Sequence, residues 1–278
     1  MSTTTITVQD INKLRQTTGA GMMDCRKALT ETNGDFEAAI DWLRKQGQKV
    51  AAKRSDKEAK EGVVLAKTSA DNKFGTIVCV SCETDFVSKN ADFISFVSSI
   101  SDASVEKNIK TKEELLDTEV NGMKVSELIN EKLATIGENI GLTKFVRVDA
   151  PFVSSYIHGA NRIGVLVGMN KDADEVGKNV AMQVAALSPV AVDAASVPAD
   201  VIAREKSVIM EIMKEDPKMA GKPEEMLAKI AEGKLGAFFK EQTLTAQSYV
   251  KDGSKSVGDY LKENGDVTVT EFQRVALG

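Results

Sequence analysis

The segment at residues 49–61, KVAAKRSDKEAKE, has no aromatic side chain and almost no large apolar one. Because such a segment has no apolar face to bury, it is predicted to be a solvated helix extension or a linker. It therefore divides the 278-residue chain into a front module, residues 1–48, and a remainder from residue 62 onward. The remainder is long enough to bury a large core without metal or disulfide support.

The front module is predicted to form three short helices. Apolar residues recur at helical spacing in three groups, separated by glycine-containing turns at residues 18–21 and 33–35. Glycine allows positive φ in these turns, and Asp35 is placed to cap the third helix. The apolar positions are Val8, Ile11 and Leu14, then Met22, Met23, Ala28 and Leu29, then Phe36, Ile40 and Leu43.

Strands and helices alternate twice in the remainder. A strand pair rich in β-branched residues is predicted at 62–67 and 75–84. Apolar residues at helical spacing follow it, and then a last strand at 143–148. A second pair at 154–157 and 163–169 precedes a helix over residues 173–187, and a strand is predicted at 267–275. The shared order indicates an internal duplication within an α+β fold with antiparallel strands. We place the two subdomains at residues 62–150 and 151–278.

A helical hairpin is predicted inside the second subdomain, at about residues 199–241. Val201, Val208 and Ile212 mark its first helix, and Met226, Leu227 and Ile230 mark its second, around turns that contain Pro217 and Pro223. The first helix has few apolar residues per turn, so the hairpin is expected to project from the core as a short coiled coil.

Composition excludes several classes of protein. The net charge of −5 and the 5% aromatic content argue against a dedicated nucleic-acid binder or a base-stacking platform. Three cysteines are too few for a disulfide framework and suit a reducing compartment. No secretory signal is visible and no apolar run is long enough for a membrane span. A cytoplasmic protein without membrane contact is expected.

Motifs for catalysis or cofactor binding are missing from the sequence. No P-loop occurs, so the chain is not predicted to bind a nucleotide itself. Cys79 and Cys82 have CxxC spacing, but they lie in a predicted strand on opposite faces and are expected to be buried structural thiols. A redox pair is the competing enzymatic hypothesis. With one histidine, His158, and no G-x-S-x-G elbow, neither a hydrolase nor a metal site is predicted.

The segment at residues 83–87, ETDFV, joins the end of a strand to a helix. Thr84 or Asp85 is placed to cap that helix, and Phe86 could pack against it as a hydrophobic staple. An acidic residue beside a large aromatic one also allows a functional role.

Three motifs resemble the elongation factor Ts family, whose members exchange guanine nucleotide on elongation factor Tu. They are TGAGMMDCRKAL at 18–29, CETDFV at 82–87 and HGANRIGVL at 158–166, with further matches at IGENI, 136–140, and SVGDYL, 256–261. The resemblance spans nearly the whole chain in the family's order. It implies a three-helix domain of the ubiquitin-associated type, a core of two related α+β subdomains and an inserted helical hairpin.

The resemblance also implies residues that bind elongation factor Tu. Residues 84–87 would disturb the partner's Mg²⁺ site with Phe86 as a wedge, the front helices would contact its GTPase domain, and His158 would lie on a second contact surface. The implied residues are Thr84, Asp85, Phe86, Val87, Met22, Met23, Arg26, Ile136, Gly137, His158 and Val250. For Met22 and Met23, burial in the core of the front module is the alternative.

We therefore expect a guanine-nucleotide exchange factor that is not an enzyme and needs no cofactor or metal. Its expected partner is elongation factor Tu, in the GDP-bound and nucleotide-free states. The alternative is a ubiquitin-like protein-binding adaptor without exchange activity. Stimulated release of GDP separates the two hypotheses.

Overall fold

The computed structural model describes residues 6–54, 57–219 and 222–278, without the side chains of residue 48 and residues 50–54. Residues 55 and 56 of the predicted charged segment therefore lie outside the described residues. Three helices form the front of the chain: α1 Val8–Thr18, α2 Met22–Glu31 and α3 Phe36–Arg54. Helix α3 runs on past residue 48, so the charged segment begins as a helix extension.

The front helices pack around a small core of their own. Its buried residues are Ile11, Leu14, Cys25, Ala28, Leu29 and Ala39. Asp35 caps α3, because its Oδ1 accepts a hydrogen bond from the backbone N–H of Ala38 at 2.9 Å. The prediction for Val8 is wrong. Its side chain is 68% exposed, because it is the first residue of α1 and only Ile11 and Leu14, further along that helix, are buried.

The next part of the chain builds a three-stranded antiparallel sheet and its covering helices. The sheet has the order β1-β2-β5. In chain order the elements are β1 Glu61–Thr68, β2 Phe74–Cys82, α4 Asp85–Ser88, α5 Ala91–Glu106, α6 Lys112–Asp117, β3 Glu119–Val120, β4 Met123–Lys124, α7 Val125–Ile136 and β5 Gly141–Asp149.

The last part of the chain builds a second three-stranded antiparallel sheet, with the order β10-β7-β6. Two short 3₁₀ turns, Ala194–Ser196 and Pro217–Met219, accompany its helices. In chain order the elements are β6 Phe152–His158, β7 Ile163–Met169, α8 Asp174–Leu187, α9 Ala199–Glu215, α10 Glu224–Gln242, β8 Ser248–Tyr249, β9 Asp252–Ser256, α11 Val257–Glu263 and β10 Val269–Ala276.

The two sheets share one connectivity. In each, the second strand of the opening hairpin is central, and the strand that follows the helices pairs with its free edge. The predicted α+β fold with antiparallel strands is confirmed, and the common strand order agrees with the internal duplication inferred from the sequence.

The sheets stack face to face between two helical layers. Val64 and Ile77 of the first sheet pack against Leu166 and Val153 of the second. The opposite face of each sheet is covered by helices, α5 and α7 on one side and α8 and α11 on the other. Gly75 makes the close stacking possible, because a Cβ atom there would lie 2.7 Å from Leu166 Cδ2.

Helices α9 and α10 form the predicted hairpin, but the buried stripe of α9 differs from the prediction. Ile209 and Met213 are buried, whereas Val208 is 40% exposed and Ile212 is 53% exposed. The stripe is displaced by one residue, about 100° around the helix. Because α10 has no buried residue in the part of the chain that is described, most of the hairpin surface is exposed.

Candidate functional site

The aromatic side chain of Phe86 is not covered by the residues around it. It is 85% exposed, the largest fraction among the large apolar side chains described. It lies on α4, a helix of four residues that is separated from the end of strand β2 by two residues. The hydrophobic-staple alternative for Phe86 is therefore wrong, because a staple has to be covered by its neighbour.

The neighbours of Phe86 hold α4 in place. Thr84 is its N-cap and accepts a hydrogen bond from the backbone N–H of Val87 at 3.4 Å, as predicted for a capping residue. Val87 is half-buried against the core between the first sheet and its helices. Asp85 pairs with Lys89 at 2.6 Å, and the hydrogen bond from Lys89 lowers the pKa of the Asp85 carboxyl.

A glutamate 54 residues further along the chain binds the start of this segment. Glu138 Oε2 accepts hydrogen bonds from the backbone N–H groups of Glu83 and Thr84, both at 3.1 Å, and Glu138 Oε1 accepts one from the Thr84 hydroxyl at 2.6 Å. In return, Glu83 Oε1 accepts a hydrogen bond from the backbone N–H of Asn139 at 2.6 Å. Each segment thus holds the backbone of the other.

The end of α7 directs the chain into this contact. Ile136 is its last residue and packs half-buried against the same core as Val87. Gly137 follows with φ of 78°, a left-handed C-cap conformation that glycine adopts at little cost. The structure therefore brings Ile136 and Gly137 together with residues 84–87, although these segments are remote in sequence.

Met22, Met23 and Arg26 lie on the exposed side of α2. Met22 is 49% exposed and Met23 is 72% exposed, so the alternative that they form the core of the front module is wrong. Arg26 is exposed as well, while Cys25 on the other side of α2 is fully buried. Gly19, in the turn before α2, lies beside Thr135 of α7, one residue before Ile136. The front module thus adjoins the end of α7.

His158 and Val250 belong to the second half of the fold. His158 ends strand β6 and is exposed, with its Nδ1 3.1 Å from the Tyr156 hydroxyl oxygen. Val250 lies in the β8–β9 turn and is 47% exposed. The structure places these two residues on different elements from the Phe86 segment, so the predicted site residues form more than one group.

A buried glutamine of α8 fixes the turn that carries Val250. Gln183 is fully buried, and its Oε1 accepts a hydrogen bond from the backbone N–H of Val250 at 2.8 Å. Its Nε2 donates to Gln247 Oε1 and to the backbone oxygen of Ser248.

The sequence alone did not indicate that Gln183 fixes the turn at Val250 or that Glu138 holds residues 83 and 84. An isolated polar residue gives no periodic signal. The one clue was that Glu138 lies in the IGENI motif, residues 136–140, which matches the family resemblance.

The thiols of the CxxC pair are buried on opposite faces of β2. Cys79 faces the second sheet and Cys82 faces the helices, as predicted from strand alternation, and both are free. Burial, with the carboxylates of Glu138 and Glu61 nearby, raises the pKa of the Cys82 thiol to about 12. A thiol in this state is a poor nucleophile, which disfavours the redox hypothesis.

In residues 6–54, 57–219 and 222–278, no three His, Cys, Asp or Glu side chains are grouped so as to hold a metal ion. No helix in those ranges is both long and apolar enough to cross a membrane.

Comparison with known proteins gives a consistent result. Residues 83–278 match the family model described as Elongation factor TS. The chain is 48% identical over 277 residues to Elongation factor Ts of Christiangramia forsetii, covering 98% of this chain and 99% of that protein. It is 46% identical over 278 residues to Elongation factor Ts of Flavobacterium psychrophilum, covering 99% of each. It is 41% identical over 286 residues to Elongation factor Ts of Clostridium perfringens, covering 98% of this chain and 93% of that protein.

Proposed function

The chain belongs to the elongation factor Ts family, and we propose that it is the guanine-nucleotide exchange factor of elongation factor Tu. Membership of the family gives it a role in translation elongation. The proposal specifies nucleotide exchange as that role. The protein binds GDP-bound elongation factor Tu in the cytoplasm, promotes release of GDP, and dissociates when GTP binds. In this role it forms and breaks no covalent bond and binds no nucleotide itself.

The thermodynamics of exchange set what such a protein must do. GDP on a GTPase is held by backbone N–H groups around its phosphates and by a Mg²⁺ ion. A protein that binds the nucleotide-free state more tightly weakens GDP binding, and nucleotide weakens the complex by the same factor. The exchange factor therefore needs a contact that it makes fully only when the phosphate and Mg²⁺ site is disturbed.

The observation that carries the proposal is the exposure of Phe86 on the fixed helix α4. An aromatic side chain that is 85% exposed has a large apolar area to bury on a partner, at little cost in side-chain entropy. Insertion of a rigid ring between packed elements displaces them discretely. In the proposed complex, Phe86 enters beside the Mg²⁺ site, with Thr84, Asp85 and Val87 around it.

The other contacts are proposed to hold the partner while Phe86 acts. Met22 and Met23 offer adaptable thioether side chains, and Arg26 adds a positive charge. Ile136 and Gly137 extend the surface next to α4. His158 and Val250 form a second contact surface on the other half of the fold.

Release of a fluorescent GDP analogue from purified elongation factor Tu tests the proposal at fixed Mg²⁺. We expect the protein to accelerate release, and we expect Phe86→Ala to lose most of the acceleration. Removal of a hot-spot aromatic costs about 2 kcal/mol or more, which corresponds to about thirtyfold. Met226→Ala is the matched control, because Met226 is also an exposed apolar residue at the start of a helix, α10, but lies outside the proposed contacts.

Each contrary result has a defined meaning. If the protein binds elongation factor Tu but leaves GDP release unchanged, exchange is excluded and the adaptor hypothesis replaces it. If Phe86→Ala accelerates release as well as the unchanged chain does, exchange stands and Phe86 is not its wedge.

A further inference from the structure

We infer that Glu138 is a positioning residue for nucleotide exchange, because its carboxylate clamps residues 83 and 84 so that Phe86 is preset to enter the partner. This inference rests on the proposed exchange function. Glu138 does not need to touch the partner in order to act, since its effect passes through the backbone of the segment that carries Phe86.

The clamp is made by both oxygens of one carboxylate. Oε2 accepts from two successive backbone N–H groups, of Glu83 and Thr84, and Oε1 accepts from the Thr84 hydroxyl. The reciprocal bond from Asn139 N–H to Glu83 Oε1 closes the contact from the other side. Asn139 Nδ2 also donates to the backbone oxygen of Lys57 at 2.8 Å, so a third segment is tied to the same point.

The clamp adds to the few other contacts that order α4, which are the Thr84 cap, the Asp85–Lys89 pair and the packing of Val87. A helix of four residues is far below the length at which helices are stable alone. Phe86 contributes little packing to its own helix, since it is 85% exposed. Without the clamp, the backbone entropy of residues 83–86 would be lost on insertion of Phe86 and would oppose exchange.

The chemistry favours a carboxylate at position 138. An ionised carboxylate only accepts hydrogen bonds, and the two backbone N–H groups and the hydroxyl that Glu138 binds are all donors. Glutamine keeps one oxygen for the two backbone N–H groups and offers an amide donor to the Thr84 hydroxyl, so Glu138→Gln retains weaker, neutral bonds. Glu138→Ala removes all three bonds.

The experiment measures release of the fluorescent GDP analogue over a range of exchange-factor concentrations. For Glu138→Ala we expect the maximal rate to fall about tenfold, with the half-saturating concentration changed less than about threefold, because the front-module contacts remain. We expect Glu138→Gln to recover most of the rate. Glu127→Ala is the matched control, since Glu127 is an exposed glutamate in the first turn of α7, and it should leave both parameters unchanged.

A double-mutant cycle with Phe86 distinguishes an effect of Glu138 on the position of Phe86 from a general loss of folding or stability. If Glu138 acts through Phe86, Glu138→Ala changes the rate less than about twofold in the Phe86→Ala background. The single variants and the double variant are assayed below the melting transition of the least stable of them, so that loss of folding does not enter the cycle.

Three outcomes overturn the inference. An unchanged maximal rate in Glu138→Ala would exclude positioning while exchange stands. An undiminished loss in the Phe86→Ala background would show that Glu138 acts independently of Phe86. Failure of the unchanged protein to accelerate GDP release would remove the proposed function itself, and the inference with it.

Discussion

Gly47 of α3 and Ala134 of α7 approach so closely that a Cβ atom added to Gly47 would lie 2.6 Å from the Cβ of Ala134. This contact docks the front helices on the first half of the core. Beside it lies a cleft of about 390 Å³, lined by Trp42 from the front module and by Glu131 from α7. Burial raises the pKa of the Glu131 carboxyl, although Arg44 opposes the rise.

Gly47→Leu should separate the front module from α7. The larger side chain cannot fit against Ala134, and overpacking of this kind costs about 1 to 3 kcal/mol. Trp42 is the only tryptophan and lines the adjacent cleft, so its fluorescence should shift to longer wavelength. Gly236→Leu on α10 is the control, because that glycine has open space around it and no positive φ, and it should leave the emission unchanged. An unshifted spectrum in Gly47→Leu would contradict the docking.

Gly177→Ala should lower the free energy of unfolding, although alanine favours helices. A Cβ on this α8 residue would overlap Ser154 Oγ and Met169 Cε. The steric cost exceeds the helix gain of about 1 kcal/mol, so we expect a net loss of about 1 to 2 kcal/mol in urea unfolding.

Gly233→Ala on α10 is the matched control for Gly177→Ala. A Cβ there has open space, so this variant should gain about 0.5 to 1 kcal/mol. The same sign of change in both variants would refute the close packing of α8 on β6 and β7.

Gln183→Leu should destabilise the second half of the fold and loosen the turn at Val250. It leaves the backbone N–H of Val250 and the carbonyl of Ser248 without their buried partner, which costs about 1 to 3 kcal/mol. Hydrogen exchange at the Val250 amide should accelerate. Lys178→Ala, which removes an exposed pair with Asp174 on the same helix, should change stability by less than about 0.5 kcal/mol. Equal effects of the two variants would contradict this role.

Cys82 should make stability fall at alkaline pH. Its folded pKa is about 12 against an ordinary value of 9.0, so the folded state keeps a proton that the unfolded state loses. The stabilisation by the neutral thiol is complete below pH 9 and is lost as the pH rises toward 12. Urea unfolding at pH 8 and pH 10.5 should therefore show a steeper decline for the unchanged chain than for Cys82→Ala. A decline of the same size in both proteins would exclude ionisation of Cys82 as the cause of the lower stability at alkaline pH.

Replacement of Met22 and Met23 by alanine together should weaken association with elongation factor Tu without lowering stability. Both side chains are exposed, so the free energy of unfolding should change by less than about 0.5 kcal/mol. We expect the half-saturating concentration in the exchange assay to rise about fivefold or more, which corresponds to a binding loss of about 1 kcal/mol or more. Unchanged half-saturation would remove the two methionines from the proposed contact surface.

Local patterns predicted most of the elements. Strands β1, β2 and β7 lie within one or two residues of their predicted positions, because β-branched runs bounded by turns are a local signal. The buried face of α9 was predicted wrongly. Val208, Ile209, Ile212 and Met213 put apolar side chains at two overlapping helical spacings, and only the position of α10 selects Ile209 and Met213.

The α+β class, the buried CxxC strand and membership of the elongation factor Ts family could all be inferred from the printed residues, since each depends on motifs or on short-range periodicity. The exposure of Phe86 and the mutual hold of the Glu83 and Glu138 segments emerge only from the folded chain. The difference lies in distance along the chain. Hydrogen bonds between residues 55 positions apart depend on where the fold brings two backbones together, and no spacing within either segment encodes that meeting.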